Sequence, residues 1–269
     1  MEIGTNQILI AFALTTFAGL ATGIGSALAF FSRTTNKSFL AGALGFSAGV
    51  MLYISFAEML VEAKEQLATA HGADLGAWLA VIAFLGGFAI SLLIDQLIPS
   101  YENPHELRGV EEMDQPRDNA KLQRLGVVTA VAIALHNFPE GLAVFAASLK
   151  DTSLGIPIAL AVAIHNIPEG IAVAVPIYYA TGSRKKAFWY SLGSGLSEPL
   201  GALVGFLFLR PFLTDSMFGL VFALIAGIMV YISLDELLPT AQRYDKGHHA
   251  IIGLGAGMAV MAISLILLH

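Results

Sequence analysis

A hexapeptide with the pattern His-Asn-x-Pro-Glu-Gly occurs twice, at residues 136–141 and 165–170, in strongly apolar sequence. In each copy the His and the Glu are four residues apart, so on a helix they share one face. A mixture of imidazole and carboxylate suits a borderline divalent ion such as Zn²⁺ or Fe²⁺, whereas Mg²⁺ and Ca²⁺ prefer oxygen ligands alone. The repeated hexapeptide therefore predicts a metal site between two adjacent helices, with four ligands: His136, Glu140, His165 and Glu169.

A second set of oxygen donors lies beside these four residues. Asn137 and Asn166 follow the two histidines, about 100° further round each helix, and Glu198 belongs to another apolar segment, "SGLSEPLG". With Glu140 and Glu169 as bridging ligands, these residues could bind a second, harder ion. A single His–Glu pair is more often a structural hydrogen bond, and Glu198 alone could be one too. The duplication and the matching depth favour metal binding.

The composition places these residues in a membrane. Of the 269 residues, 56% are hydrophobic and only 13% are charged, against about 25% charged in a typical soluble domain. The mean hydropathy is +0.73. The chain contains no Cys, which excludes disulfides and thiolate metal sites, and its net charge of -6 gives no argument for a nucleic-acid partner. We therefore expect an all-α integral membrane protein.

Eight apolar segments are long enough to cross a bilayer, which takes roughly 20 residues of helix. We expect them to form one transmembrane domain over residues 1–269, with one flexible linker, the polar stretch 100–122. Because 11 of the 14 Lys and Arg residues fall in the odd-numbered connections, those connections are expected in the cytoplasm and both termini outside it. The segments are 6–31, 39–63, 75–99, 123–149, 153–180, 187–209, 216–240 and 249–268.

Internal repeats relate these segments in pairs. Residues 130–144 resemble 159–173, and residues 48–63 match 226–241 at 9 of 16 positions. The fourth segment therefore pairs with the fifth, and the second with the seventh. The members of each pair run in opposite directions, as in transporters built from inverted repeats, whose substrate site lies near the bilayer midplane. We expect a bundle of three, two and three helices with the metal site at its centre.

Acidic side chains inside the predicted spans have no Lys or Arg at comparable depth. A charge at the bilayer centre costs about 2.5–3.5 kcal/mol on insertion scales, so the carboxylates must be protonated or must bind a cation, and a cation is the economical explanation. Glu58 and Glu236 are repeat-related, one nearer each face. They are candidates for an entry and an exit relay, or for structural hydrogen bonds. Asp95 and Asp235 are expected as helix-end polar groups, with a gating or relay role as the alternative. His105, His248 and His249 are expected as solvated loop histidines, with weak metal capture as the alternative.

The two hexapeptides and "SGLSEP" resemble the ZIP (Zrt- and Irt-like) family of divalent metal transporters, and nearly the whole chain resembles its bacterial zinc-uptake branch. The resemblance implies a binuclear centre between the fourth and fifth helices. One ion would be held by His136, Glu140, His165 and Glu169, and the other by Asn137, Glu140, Asn166, Glu169 and Glu198.

The same resemblance implies a function and a location. It implies uptake of Zn²⁺ into the cytoplasm, with Fe²⁺, Mn²⁺, Co²⁺ or Cd²⁺ as further substrates, and no enzymatic activity. The metal would be bound as substrate, with no prosthetic group. The protein would be a multi-pass protein of the inner or plasma membrane whose partners are divalent metal ions and the lipid bilayer, and a homodimer is a candidate assembly. Many relatives carry a long His-rich loop, whereas the stretch 100–122 has one His, His105.

Two other functions stay open on the residues alone. An intramembrane metal-dependent hydrolase would also use His and Glu at helical spacing, although the sequence has no HExxH motif and no evident substrate-binding loop. A metal-sensing membrane receptor would usually need an attached soluble domain. The two-fold duplication of the ligands fits a transport path better than a single reaction centre.

Overall fold

Helices account for almost all of the chain that the computed structural model describes, which is residues 4–31, 37–97, 119–209, 214–244 and 247–268. No β-strand occurs in these ranges. The linker predicted at 100–122, with His105, lies outside the described residues up to residue 118. The helices are α1 (Thr5–Phe31), α2 (Lys37–Ile54), α3 (Leu60–His71), α4 (Ala73–Leu97), α5 (Asn119–Lys150), α6 (Thr152–Thr181), α7 (Arg184–Gly195), α8 (Ser197–Leu209), α9 (Asp215–Ile232), α10 (Leu238–Tyr244) and α11 (His249–Leu268).

The helices form eight membrane-crossing segments, namely α1, α2–α3, α4, α5, α6, α7–α8, α9–α10 and α11. Within the described residues, six segments are long and apolar enough to cross a bilayer by themselves. The other two are α5, which has 32 residues, and the pair α7–α8. The predicted fold class, an all-α membrane bundle of eight segments, is confirmed.

Two π-helical turns occupy repeat-related positions. Ser55–Met59 joins α2 to α3, and Ser233–Leu237 joins α9 to α10. The offset between the turns equals the offset between the matching segments found in the sequence. Because the helix continues through each turn, the second and seventh segments run on to His71 and Tyr244, beyond the predicted ends at residues 63 and 240. Such turns are rare and often mark functional sites. They contain the two predicted relay residues, Glu58 and Glu236.

The predicted helix 187–209 is broken, which the sequence interpretation did not foresee. α7 ends at Gly195 and α8 begins at Ser197, with Leu196 as the turn between them. Pro199 lacks an N–H group and therefore cannot continue the hydrogen bonds of α7, whereas a proline is tolerated in the first turn of a new helix. The break also puts Glu198 in the first turn of α8, where the helix dipole favours a negative charge.

The helices pack in two groups. The site group consists of α1, α5, α6, α7 and α8, and the outer group consists of α2, α3, α4, α9, α10 and α11. Contacts between the groups run mainly from α2 and α11 to α6, and from α5 to α9. The central pair α5–α6 therefore belongs to one group and does not lie evenly between two halves.

Glycines let helices of the outer group touch through their backbones. Gly49 of α2 lies against the Leu254 carbonyl of α11, and the repeat-related Gly227 of α9 lies against the Phe84 carbonyl of α4; a Cβ on either glycine would overlap the facing oxygen. The α2–α11 contact and the α9–α4 contact are thus built alike, as an inverted repeat requires. Reciprocal contacts pair Gly257 with Phe46 and Gly87 with Leu224.

Two helices present broad apolar faces to the outside of the bundle. On α4 these faces include Trp78, Ile82 and Leu93, and on α11 they include Ile252 and Ile266, all of them exposed. Exposed apolar surface of this extent marks contact with a membrane or a partner protein. Together with the six long apolar segments, it identifies a multi-pass membrane protein.

Gly87→Ala should destabilise the bundle by about 1–3 kcal/mol, the usual cost of adding a methyl group to a well-packed contact. The reason is that the new Cβ would overlap the Leu224 carbonyl oxygen. The matched control is Gly86→Ala, since nothing lies within 4 Å of a Cβ at that position; this change should be neutral or slightly stabilising. Thermal unfolding in detergent measures both, and equal midpoints for the two variants would contradict the close contact between α4 and α9.

Candidate metal centre

The two hexapeptides lie on neighbouring helices that pack along one another. A single residue, Asp151, separates α5 from α6, and its carboxylate caps α6 by accepting a hydrogen bond of 2.8 Å from the backbone N–H of Ser153. So short a connection makes the two helices antiparallel. Both helices continue through the prolines of their hexapeptides, Pro139 and Pro168. The hexapeptides therefore face the same helix interface from opposite directions.

Five of the seven predicted metal ligands have described side chains, and all five are buried: Asn137, Glu140, Asn166, Glu169 and Glu198. His136 and His165 have helical backbones on α5 and α6, but their side chains lie outside the described part of the chain. Three carboxyl groups thus occupy the interior of one helix group, where a charge is costly unless it is paired, hydrogen-bonded or bound to an ion.

Asn166 connects three helices through one amide group. Its Nδ2 donates a hydrogen bond of 2.8 Å to the Ala18 carbonyl of α1 and a second, short one to Oε1 of Glu198 on α8. Because both amide protons are used, the Oδ1 atom is turned away from these two partners. Within the described residues the buried Oδ1 has no hydrogen-bond partner. The sequence prediction that Asn166 provides an oxygen ligand concerns this atom.

Close backbone contact brings Glu198 to the hexapeptide of α5. Gly141, the last residue of the first hexapeptide, lies against the backbone of Glu198, and Gly201 of α8 lies against the carbonyl of Phe138. A side chain at either glycine would overlap the opposite helix. The first turn of α8 is therefore held against α5 by backbone packing, and this fixes where the Glu198 carboxylate can reach.

The carboxylates share this helix group without forming one cluster. Within the described residues, no three side chains of His, Asp and Glu lie close enough together to hold a single metal ion. The described part of the centre is the pair Asn166–Glu198, with Asn137, Glu140 and Glu169 buried on the same two helices as the hexapeptides. The binuclear ligand sets expected from the sequence stay a prediction.

One basic side chain, at the end of a helix, lies near the acidic residue Glu58. Lys150, the last residue of α5, pairs with Glu62 of α3 and is attracted electrostatically by Asp215, Glu58 and Asp151. The physical reason is that the helix continues past the π-helical turn, which brings α3 alongside the end of α5. Glu58 therefore lies among charges of both signs at that end of the bundle.

The two aspartates interpreted as helix-end groups, Asp95 and Asp235, have a structural partner, Tyr231. The Tyr231 hydroxyl donates a hydrogen bond of 3.2 Å to Oδ2 of Asp235, and Asp95 interacts with the same hydroxyl from α4. His248 and His249 are exposed at the start of α11. Glu236 is half-buried in the second π-helical turn.

Sequence reasoning missed the part played by α1. Its residues Thr15, Ala18, Thr22 and Ser26 are all fully buried, and the Ala18 carbonyl binds Asn166. Gly25 lies against the carbonyl of Ile167, so α1 packs directly on the second hexapeptide. The available signal was the spacing of three to four residues between these small side chains, which puts them on one helical face.

The fold and the buried carboxyl groups define an integral membrane protein with a polar centre inside its helix bundle. A family model described as ZIP Zinc transporter matches residues 99–265. Three relatives each carry the name Zinc transporter ZupT. The protein of Nitratidesulfovibrio vulgaris is 59% identical over 98% of this chain and 99% of its own length. The protein of Oceanobacillus iheyensis is 58% identical over 98% and 99%, and that of Chlorobium luteolum is 60% identical over 95% and 96%. The chain belongs to the ZIP family.

Asn166→Ala should lower stability by about 1–3 kcal/mol in the absence of metal, because it removes two buried hydrogen bonds that join α6 to α1 and α8. Ser148→Ala is the control, since the Ser148 hydroxyl is equally buried but bonds only to Val144 of its own helix; its midpoint should stay close to that of the unchanged protein. Thermal unfolding in detergent with a chelator compares the two. A similar, small effect of both changes would contradict the role of Asn166 in joining α1, α6 and α8.

Proposed function

We propose that this protein carries Zn²⁺ across the membrane into the cytoplasm, with Fe²⁺, Mn²⁺, Co²⁺ and Cd²⁺ as further substrates. The observation that carries the proposal is the burial of Glu140, Glu169 and Glu198 within one helix group of a membrane protein. A divalent cation is the natural counter-charge for carboxylates at this depth. The relatives named as zinc transporters over nearly the whole chain support the choice of metal. The three relatives described above are named as transporters and give an intramembrane hydrolase no support.

The proposed ligands form two adjacent sites. His136, Glu140, His165 and Glu169 would hold one ion with nitrogen and oxygen donors, which suits Zn²⁺. Asn137, Glu140, Asn166, Glu169 and Glu198 would hold a second ion with oxygen donors alone. The orientation of the Asn166 amide supports this assignment, because its Nδ2 is taken by Ala18 and Glu198 and its Oδ1 is left as a donor. We propose no prosthetic group.

On the proposed route the metal ion enters past Glu58 and leaves past Glu236. The two residues lie in matching π-helical turns, which supports equivalent roles toward opposite faces of the membrane. Lys150 and Glu62 lie near the proposed entrance. Access would alternate through movement of the site group against the outer group, a division that follows the helix packing and the behaviour of other inverted-repeat transporters.

The proposal includes the arrangement of the whole protein. Residues 1–269 would form one transmembrane domain with both termini outside the cytoplasm, on the strength of the Lys and Arg distribution. A homodimer is a further proposal, and the apolar faces of α4 and α11 offer surface for either lipid or a second copy. Cysteine labelling at Gly4 and Gly247 from each side of the membrane would test the orientation.

Neutralising two central carboxylates should strongly lower the rate of metal uptake. We expect Glu140→Gln with Glu169→Gln to lower the initial rate of Zn²⁺ entry into proteoliposomes by about tenfold or more, since even outer partners of a bound metal change affinity by about 10–100-fold. Glu65→Gln is the matched control, because Glu65 is an exposed carboxylate on α3. His136→Ala and His165→Ala should each behave like the central pair. Unchanged uptake by the Glu140/Glu169 variant would refute the site, and no uptake by the unchanged protein would refute zinc transport.

The membrane potential should drive uptake without another coupled ion. A divalent cation that moves inward gains roughly 2 × 2.3 kcal/mol per 100 mV of inside-negative potential, which corresponds to about three decades of accumulation. A potassium gradient with a potassium-selective ionophore sets this potential in proteoliposomes, and Zn²⁺ uptake should rise with it. Liposomes given the ionophore without the gradient are the control. A rate of Zn²⁺ uptake that does not change with the imposed potential would contradict a net transfer of charge across the membrane.

A further inference from the structure

Most of the described hydroxyl side chains in these helices donate to a backbone carbonyl. Ser194 and Ser197 donate to the carbonyl three residues earlier, and Ser191 donates to the Gly170 carbonyl of α6. A larger set donates to the carbonyl four residues earlier, which satisfies the hydroxyl without help from another helix. The distances are short and alike: Thr15 to Ala11 2.8 Å, Thr16 to Phe12 2.7 Å, Ser55 to Met51 2.7 Å, Ser148 to Val144 2.6 Å, Thr181 to Ile177 2.7 Å and Ser233 to Met229 2.7 Å.

Thr22 and Ser26 of α1 do not make such a hydrogen bond to any backbone carbonyl in the ranges that the structure describes. Both residues are fully buried, and within the described residues neither hydroxyl has a hydrogen-bond partner. The carbonyl that Thr22 would normally use, that of Ala18, accepts from Asn166 of α6 at 2.8 Å. The carbonyl that Ser26 would use, that of Thr22, lies 3.4 Å from the Ser191 hydroxyl, which is closer to the Gly170 carbonyl at 3.0 Å. Ser47 on α2, in the outer group, also lacks a partner in the described part.

The Thr22 hydroxyl adjoins the helix segment that leads to Glu198. A Cβ at Gly195, three residues before Glu198, would come within 2.6 Å of the Thr22 hydroxyl oxygen. The Thr22 carbonyl lies against Gly170, the residue after Glu169. Ser26 is one helical turn further along α1, toward Phe31. By the distribution of Lys and Arg, that end of α1 faces the cytoplasm.

A buried hydroxyl without a partner is costly, and where one persists its partner is usually a water molecule or an ion. Asn166 Oδ1 is a third buried oxygen in the same condition. Three buried oxygens without a described partner thus lie on α1 and α6, the two helices joined by the Asn166–Ala18 hydrogen bond. All three are neutral donors, so they attract a cation more weakly than the carboxylates do.

We propose that Thr22 and Ser26 form a hydroxyl step, a binding position for the hydrated metal ion on the cytoplasmic side of the Asn166–Glu198 pair. This inference rests on the proposed function. The ion would pass from the carboxylates to the neutral oxygens and its own water, and would then be held weakly enough to leave. Neutral oxygen and water suit hard ions such as Mn²⁺ better than soft ions such as Cd²⁺, so the step also influences selectivity.

The test is the variant Thr22→Val/Ser26→Ala, which removes both hydroxyls with little change of shape. We expect its Mn²⁺ uptake into proteoliposomes to fall by about fivefold or more, the effect of one lost hydrogen bond, and its Cd²⁺ uptake to fall less. Thr15→Val is the matched control, since Thr15 lies on the same face of α1 and is equally buried but bonds to its own helix. Thr22→Ser keeps the hydroxyl and should keep the uptake of the unchanged protein.

Stability separates this role from a structural one. Removing hydroxyls that have no partner should leave the melting temperature in the absence of metal unchanged or higher, whereas removing structural hydroxyls would lower it. If the double variant is poorly folded, Ser26→Ala alone gives the same comparison. Zn²⁺ uptake by the unchanged protein tests the proposed function separately. If that uptake is present and the double variant keeps both its rate and its Mn²⁺-to-Cd²⁺ ratio, the hydroxyl step is wrong.

Discussion

The amide of Asn166 is the interaction on which the centre depends. It binds α1 through the Ala18 carbonyl and α8 through Glu198, and a side chain this short reaches both only if the backbones are very close. Glycines provide that closeness: Gly25 lies against Ile167 and Gly170 against Thr22. Small residues play this part in membrane helices because lipid gives no hydrophobic drive for helix association. The hydrogen bonds of the Asn166 amide therefore depend on the close backbone contacts that the glycines allow.

The same geometry explains how carboxyl groups are kept inside the bundle. A neutral amide gives Glu198 a strong hydrogen bond without supplying the full charge that would exclude a divalent cation. The ammonium of Lys150 lies instead at the end of α5, paired with Glu62. The described hydrogen-bond donor at the centre is thus an uncharged amide, and the charged lysine lies at the edge. A carboxylate buried at this depth favours a bound cation over a bare charge, which is a physical basis for binding a metal ion.

Much of this arrangement could be predicted from the sequence. Composition and segment length predicted the all-α bundle, and the register of the repeat predicted that Ser55 and Ser233 occupy equivalent places. The π-helical turns themselves were not predictable, because an extra residue in a helix leaves the apolar pattern of a membrane span unchanged. The break at Leu196 was missed although Pro199 lies three residues later. A proline alone does not predict a break, since α5 and α6 continue through Pro139 and Pro168.

The centre was predictable only in part. The repeated hexapeptides pointed to α5 and α6 because charge and proline are conspicuous in apolar sequence. Thr22 and Ser26 were missed because hydroxyls are common in membrane helices, and whether one bonds to its own helix depends on which neighbours use the carbonyl. Lys150 was missed because its distance from Glu58 depends on how far α3 continues after the π-helical turn. Both the hydrogen bonding of these hydroxyls and the position of Lys150 depend on tertiary contacts, which have no signature in the local sequence.

The division into two helix groups separates the proposed ligands from the proposed relay residues. Every described residue of the centre lies on α5, α6 or α8, and α1 supplies the carbonyl that orients Asn166. The outer group carries the π-helical turns with Glu58 and Glu236, and its helix pairs are joined by backbone contacts at glycines. The proposed ligands of the ion and the proposed relay residues Glu58 and Glu236 thus lie on different groups. A displacement of one group against the other would change which relay residue faces the centre while the Asn166 contacts within the site group stay intact.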